Sequence, residues 1–161
     1  MLKCEQRVEE GDMIMAIETF KALTESQEGL KVKCTSRGMS FILDEPENLG
    51  GTNEGMNPVE ALLSALGACK VIVARSFAKS QKINLKSITL EEEGELDPDG
   101  FTGKNKEAKI GFSKIISKFH IEADNTEEEI QKFVEFIEKT CPVQDSLVNS
   151  PEMVHEIHLN K

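Results

Sequence analysis

The chain has 161 residues, 39% of them hydrophobic and 30% charged, with a formal net charge of −10. That is an ordinary globular balance, long enough for one domain with a sizeable core, and its acidity argues against nucleic acid and anionic membranes as partners. With no Trp, no Tyr and 8 Phe there is little for bases to stack on, and no run reaches the roughly 18 apolar residues of a membrane span.

Residues 1–12 read as a polar leader and 13–161 as a single domain. Met1–Gly11 lacks the apolar core of a signal peptide, so a cytoplasmic location is expected. Met13–Thr24 carries two short apolar stretches and reads as a weak strand. Leu30, Val32 and Cys34 alternate with lysines as a half-buried strand, with Met39–Leu43 as its neighbour. Asp44–Gly55, rich in Gly, Asn, Pro and acids, is a loop. A helix then starts sharply: Asn57 suits the N-cap, Pro58 the first helical position, and Glu60 completes a capping box. Ala61–Ala78 is apolar on most faces and rich in small residues, which predicts a buried central helix.

Ser87–Leu96 returns to strand, with the Glu91-Glu92-Glu93 run as a solvated strand edge, and Asp97-Pro98-Asp99-Gly100 is a turn. Ile110–Ala123 alternates as a long strand with Ile115, Phe119 and Ile121 on one face. Thr126 and Glu129 form a second capping box, followed by Ile130, Phe133, Val134 and Ile137 on one helical stripe. Pro142 ends that helix, and Val143–Val148 suits one or two further turns. Met153, His155, Ile157 and Leu159 alternate as a last strand. Strands, central helix, strands, helix, strand: the order is α+β.

Four cysteines stand at 4, 34, 69 and 141, none in a CxxC, so neither a zinc knuckle nor a thioredoxin-type motif is present. In a reducing compartment each is either a buried apolar residue or a reactive thiol. Leu62, Ala65, Leu66, Ile72 and Val73 surround Cys69 on its helix face, where desolvation disfavours the thiolate. Cys141 shares the inward stripe of Ile130, Val134 and Ile137. If Pro142 opens a new helix, Cys141 is its N-cap, where free N–H groups await an acceptor. Two inward cysteines on different helices could form a redox pair. Cys4 falls in the leader and Cys34 on an inward strand position, while His120, His155 and His158 sit on predicted strands without a ligand-like cluster.

The run Asn57-Pro58-Val59-Glu60-Ala61-Leu62-Leu63-Ser64-Ala65-Leu66-Gly67-Ala68-Cys69, with Cys141-Pro142-Val143 downstream, resembles the two signature segments of the OsmC/Ohr superfamily. The likeness covers about Met13 to Lys161, including an Asp44–Gly51 loop similar to the family's D-x-P…GG stretch. It implies antiparallel sheets around the central helix, an interlaced homodimer, and no metal or organic cofactor. It also implies a thiol peroxidase in which Cys69 attacks an organic hydroperoxide, Cys141 resolves the sulfenic acid to a disulfide, and a dithiol restores the pair.

Two departures from the peroxidase pattern stand out. Those members resemble N-P-E at the helix start, whereas Val59 follows the proline here. Glu60 lies nine residues before Cys69, about half a turn out of phase at 100° per residue, and reads first as a cap. Peroxidase members also use an arginine from an early strand; this chain has Arg7, Arg37 and Arg75, of which Arg37 is the candidate by elimination. The competing expectation is therefore a non-enzymatic dimer that senses redox state or binds a hydrophobic small molecule without the activating acid and arginine.

Overall fold

The structure is a computed structural model and describes residues 17–159. The chain divides into two compact units between Glu54 and Gly55.

The first unit is a three-stranded antiparallel sheet of β1 (Leu23–Ser26), β2 (Val32–Ser36) and β3 (Met39–Leu43), in that order. Arg37 and Gly38 join β2 to β3 with φ of 52° and 82°, the positive values a tight two-residue hairpin demands. The loop after β3 is organised by Asp44, which is buried. Its Oδ1 accepts the Glu45 N–H at 2.9 Å, and its Oδ2 accepts the Thr52 N–H at 2.9 Å, the Thr52 hydroxyl at 2.6 Å and the Glu54 N–H at 3.2 Å. These donors, the Thr52 hydroxyl foremost, hold the Asp44 carboxyl down to about 2. Gly51 has no alternative, since a Cβ there would lie 1.8 Å from the Glu45 carbonyl oxygen. The strand expected over Met13–Thr24 forms only from Leu23; Ile17–Ala22 has no regular structure, and residues 13–16 lie outside the described residues.

The second unit opens with α1 (Pro58–Phe77), capped as expected: the Glu60 N–H donates to Asn57 Oδ1 at 2.9 Å and the Asn57 N–H to Glu60 Oε2 at 2.8 Å. It continues through β4 (Leu85–Glu95), a single turn α2 (Pro98–Phe101), β5 (Lys114–Ala123), α3 (Glu127–Thr140) and α4 (Pro142–Val148). The Asp97–Gly100 turn is thus the start of a short helix, with Asp97 as its cap. β5 begins at Lys114, later than the alternation from Ile110 suggests.

β4 and β5 pair antiparallel, with Ile88 opposite Ile121, Leu90 opposite Phe119 and Glu92 opposite Ser117. Alternation turns these residues to the face that packs on α1. Val73, Ala74, Ala78, Ile83, Phe133 and Ile137 form the core, and Phe77 meets Phe136 edge-on at 5.4 Å between ring centroids.

Two expectations change here. Within this unit α1 is buried along one stripe, at Leu66, Lys70, Val73 and Ala74, rather than all round; Ile72 is 64% exposed. The sheet and the later helices cover one side of it, and its sequence is apolar on more. Met153–Leu159 forms no strand, and its apolar side chains are exposed. Alternation makes a segment suitable for a sheet edge, but a strand needs a neighbour to complete its hydrogen bonds. His155 and His158 accordingly lie off any strand. Among the described residues no helix is long and apolar enough to cross a membrane.

Candidate active site

Cys69 sits on α1, half-buried, and Cys141 at the α3–α4 junction, fully buried. The junction follows from its sequence. Proline after Cys141 has no N–H to continue α3 and a φ suited to beginning α4, so Cys141 closes one helix and caps the next.

The first turn of α4 then has free amides to offer. The Gln144 N–H donates to Cys141 Sγ at 3.4 Å, and the Val143 amide lies beside Cys69. The two thiols are neighbours. Burial is the main influence on Cys69 and pushes its pKa up; the neighbouring Cys141 thiol pushes the same way, while the Val143 amide and the Lys70 charge oppose it more weakly.

Next to Cys69 in sequence and about 100° round the helix, the Lys70 side chain is 1% exposed. Its ammonium hydrogen-bonds Ser117 Oγ and stands 3.4 Å from Glu92 Oε1, with the Phe119 ring centroid 5.6 Å away. The Ser117 hydroxyl donates to Glu92 Oε2 at 2.6 Å. This corrects the expectation for the acidic run. Glu91 and Glu93 are exposed and pair with His120 and Lys118, but Glu92 points inward. The signal was present in the alternation: Glu92 shares parity with Ile88, Leu90 and Gly94. Lys70 likewise lies one turn from Leu66, Val73 and Ala74.

The other candidates lie elsewhere. Glu60 spends its carboxylate on the α1 cap. Arg37 occupies the β2–β3 turn of the first unit and Arg75 the last turn of α1. Cys34 is half-buried on β2, its Sγ 3.7 Å from Thr24 Oγ1. Cys4 and Arg7 lie outside the described residues. Among the described residues no group of three His, Cys, Asp or Glu side chains is placed to hold a metal ion.

The model of OsmC-like proteins matches residues 51–156, well over half of the chain. The chain belongs to the OsmC-like family. Among curated proteins, this OsmC-like chain is 29% identical over 96 residues to a hydroperoxide reductase of Mycoplasma pneumoniae, covering 60% of this chain and 64% of that one. It is 30% identical over 98 residues to a hydroperoxide reductase of Mycoplasma genitalium, covering 59% and 64%. The matches thus span less than two thirds of either relative. An OsmC-like protein of Mycoplasma pneumoniae shares the fold with a TM-score of 0.71 at 24% identity, over 83% of this chain and 89% of that one. An organic hydroperoxide resistance protein of Legionella pneumophila gives 0.59 at 23%, over 83% and 91%. The α+β class and antiparallel sheets expected from sequence are those of these OsmC-like structures.

Proposed function

We propose that this OsmC-like chain is a thiol peroxidase that reduces organic hydroperoxides, with Cys69 attacking and Cys141 resolving. The observation that carries the proposal is the proximity of the two cysteines where α1 meets the α3–α4 junction, Cys141 being close enough to influence the Cys69 thiol. The hydroperoxide reductases it resembles in part of their length support the same chemistry.

In the first step the Cys69 thiolate attacks the terminal peroxide oxygen: an S–O bond forms, the O–O bond breaks, and the alkoxide takes a proton and leaves as an alcohol. Cys141 sulfur then attacks the Cys69 sulfenic acid, forming the S–S bond as the S–O bond breaks and water departs. A dithiol reductant supplies the two electrons and two protons that restore the pair. The chain works as a homodimer, which would cover the apolar side of α1 left open in the second unit.

A redox-sensing or hydrophobic-ligand-binding role has its own support in the raised pKa of Cys69 and the use of Glu60 as a cap. Turnover decides between them. With cumene hydroperoxide and dithiothreitol, Cys69→Ser should abolish peroxide consumption, while Cys141→Ser should allow about one turnover before Cys69 overoxidises. Peptide mapping of the oxidised wild type should find one Cys69–Cys141 disulfide. A bond to Cys4 or Cys34, or undiminished consumption by Cys69→Ser, refutes the peroxidase; a disulfide that forms without catalytic turnover favours the sensor.

A further inference from the structure

We infer that a basic groove at the C-terminal end of α1 binds a small organic dianion, a phosphate monoester carried on an apolar body. The groove encloses about 500 Å³ between the end of α1 and the start of β4, and four cations line it: Arg75, Lys79, Lys82 and Lys86. That volume lies within the roughly 300–1,000 Å³ of small-molecule sites. Neither Cys69 nor Cys141 lines it, so the inference stands apart from the peroxidase proposal.

The grouping runs against the composition of the chain. Acids outnumber Lys and Arg by 29 to 19, yet no carboxylate lines this groove. Lys86 pairs with Asp124, but among the described residues Arg75, Lys79 and Lys82 have no ion-pair partner. Of the acids bonded to lining residues, Asp124 is taken by Lys86 and Asn84, and Glu122 by Ser87. The helix dipole favours Arg75 and Lys79 near the end of α1. It does not account for Lys86 on β4, nor for Lys82 beyond the helix, which holds φ at 60° where glycine is easier. A groove of this volume is about 10 Å across, close to the Debye length at physiological salt. The cations on its walls therefore repel one another and act together on one bound charge.

Charge and shape select the ligand. Several cations around one depression favour a double negative charge over a single one. Ala78, Ile83 and Leu85 give the groove an apolar floor that suits a hydrocarbon or aromatic body. A dimer leaves it accessible. Along the open side of α1 the exposed Ala65, Ala68 and Ile72 give way to Arg75 and Lys79, and charge is depleted from the cores of interfaces. The basic end thus falls at the rim of such a contact.

The test is titration of the full chain, 15N-labelled, with 1-naphthyl phosphate at about pH 8, where the monoester is doubly ionised. It should give saturable amide shifts centred on Lys79, Lys82 and Asn84, weakening as NaCl is raised. 1-Naphthol and inorganic phosphate should each bind at least about tenfold more weakly, and 1-naphthalenesulfonate about threefold. Arg75→Gln with Lys79→Gln alters two exposed positions and should weaken binding about tenfold. Lys82→Gly removes a cation where glycine suits the backbone and should weaken it about threefold. Lys139→Gln, outside the groove, should bind as the wild type does. The inference is overturned by no saturable shift, by naphthol or the sulfonate binding as tightly, or by undiminished binding in either folded groove variant. Equal weakening by Lys139→Gln, or equally tight inorganic phosphate (an adventitious ion only), overturns it too.

Discussion

Gln144 gives its N–H to the Cys141 sulfur, and Cys69 lies beside Cys141 and the Val143 amide at a position that burial makes hard to ionise. With its pKa raised, only a small part of Cys69 is thiolate at neutral pH, and each pH unit below that pKa reduces the reactive form about tenfold. Peroxide consumption should therefore climb from pH 7 to pH 9 in a stopped-flow profile; a flat profile from pH 6 would show a thiol already activated. Glu60→Ala removes half of a capping box and should lower stability by about 1 kcal/mol in urea unfolding while leaving the thiol rate unchanged. A rate that falls with it would return Glu60 to the catalytic set. Asp44 has the opposite shift from Cys69, its pKa held down to about 2 by the Thr52 hydroxyl and three backbone amides. The folded form is favoured by this carboxylate above its ordinary value near 4, and the contribution disappears as pH falls toward 2. Thermal melts from pH 5 to pH 2 should show a shallower acid decline for Asp44→Asn than for wild type; parallel declines would exclude the residue as a source of acid sensitivity.

At the scale of elements, α1, β4 and β5 are clamped by a buried ion pair rather than by apolar packing alone. Lys70 comes from the helix, Glu92 and Ser117 from directly opposed strand positions, and Phe119 lies under the ammonium. Breaking one side of such a pair leaves an uncompensated buried charge, so Glu92→Gln should destabilise by about 3–5 kcal/mol. Lys70→Met with Glu92→Leu removes both charges and should recover most of that loss. Urea unfolding of the four proteins in the cycle measures the coupling. Additive single effects would mean that water screens the pair, contrary to the burial seen for both side chains.

For the whole molecule the notable feature is apolar surface without cover. Ile72 on α1 and Met153, Val154, Ile157 and Leu159 near the C-terminus are largely exposed. Large exposed apolar side chains, where they form a patch, are characteristic of association surfaces. Sedimentation at micromolar concentration should give a dimer, about twice the 17.9 kDa chain. A sharp 17.9 kDa species would leave that surface to water and refute the dimer.

What the amino-acid sequence determined by itself was local. Asn57 with Glu60, Thr126 with Glu129, and Cys141 before Pro142 act within one helical turn, so their caps were legible and form as read. The inward stripe from Ile130 to Cys141 followed from helical phase, and Ile137 and Cys141 are fully buried on it. Sequence also singled out Cys69 and Cys141 but not their mutual contact, which depends on how α1 meets the α3–α4 junction. Glu92 looked like part of a solvated acidic run because three successive carboxylates suggest water; its parity with Ile88 and Leu90 pointed inward, and its pairing with Ser117 and Lys70 supplies the partners that let it stay there. Met153–Leu159 has a strand's alternation and no strand, because alternation describes two faces and says nothing about a hydrogen-bonding neighbour. Caps and phase are settled by residues three or four apart. The thiol contact, the buried ion pair and the missing strand depend on groups far apart along the chain, and folding alone decides which of them meet.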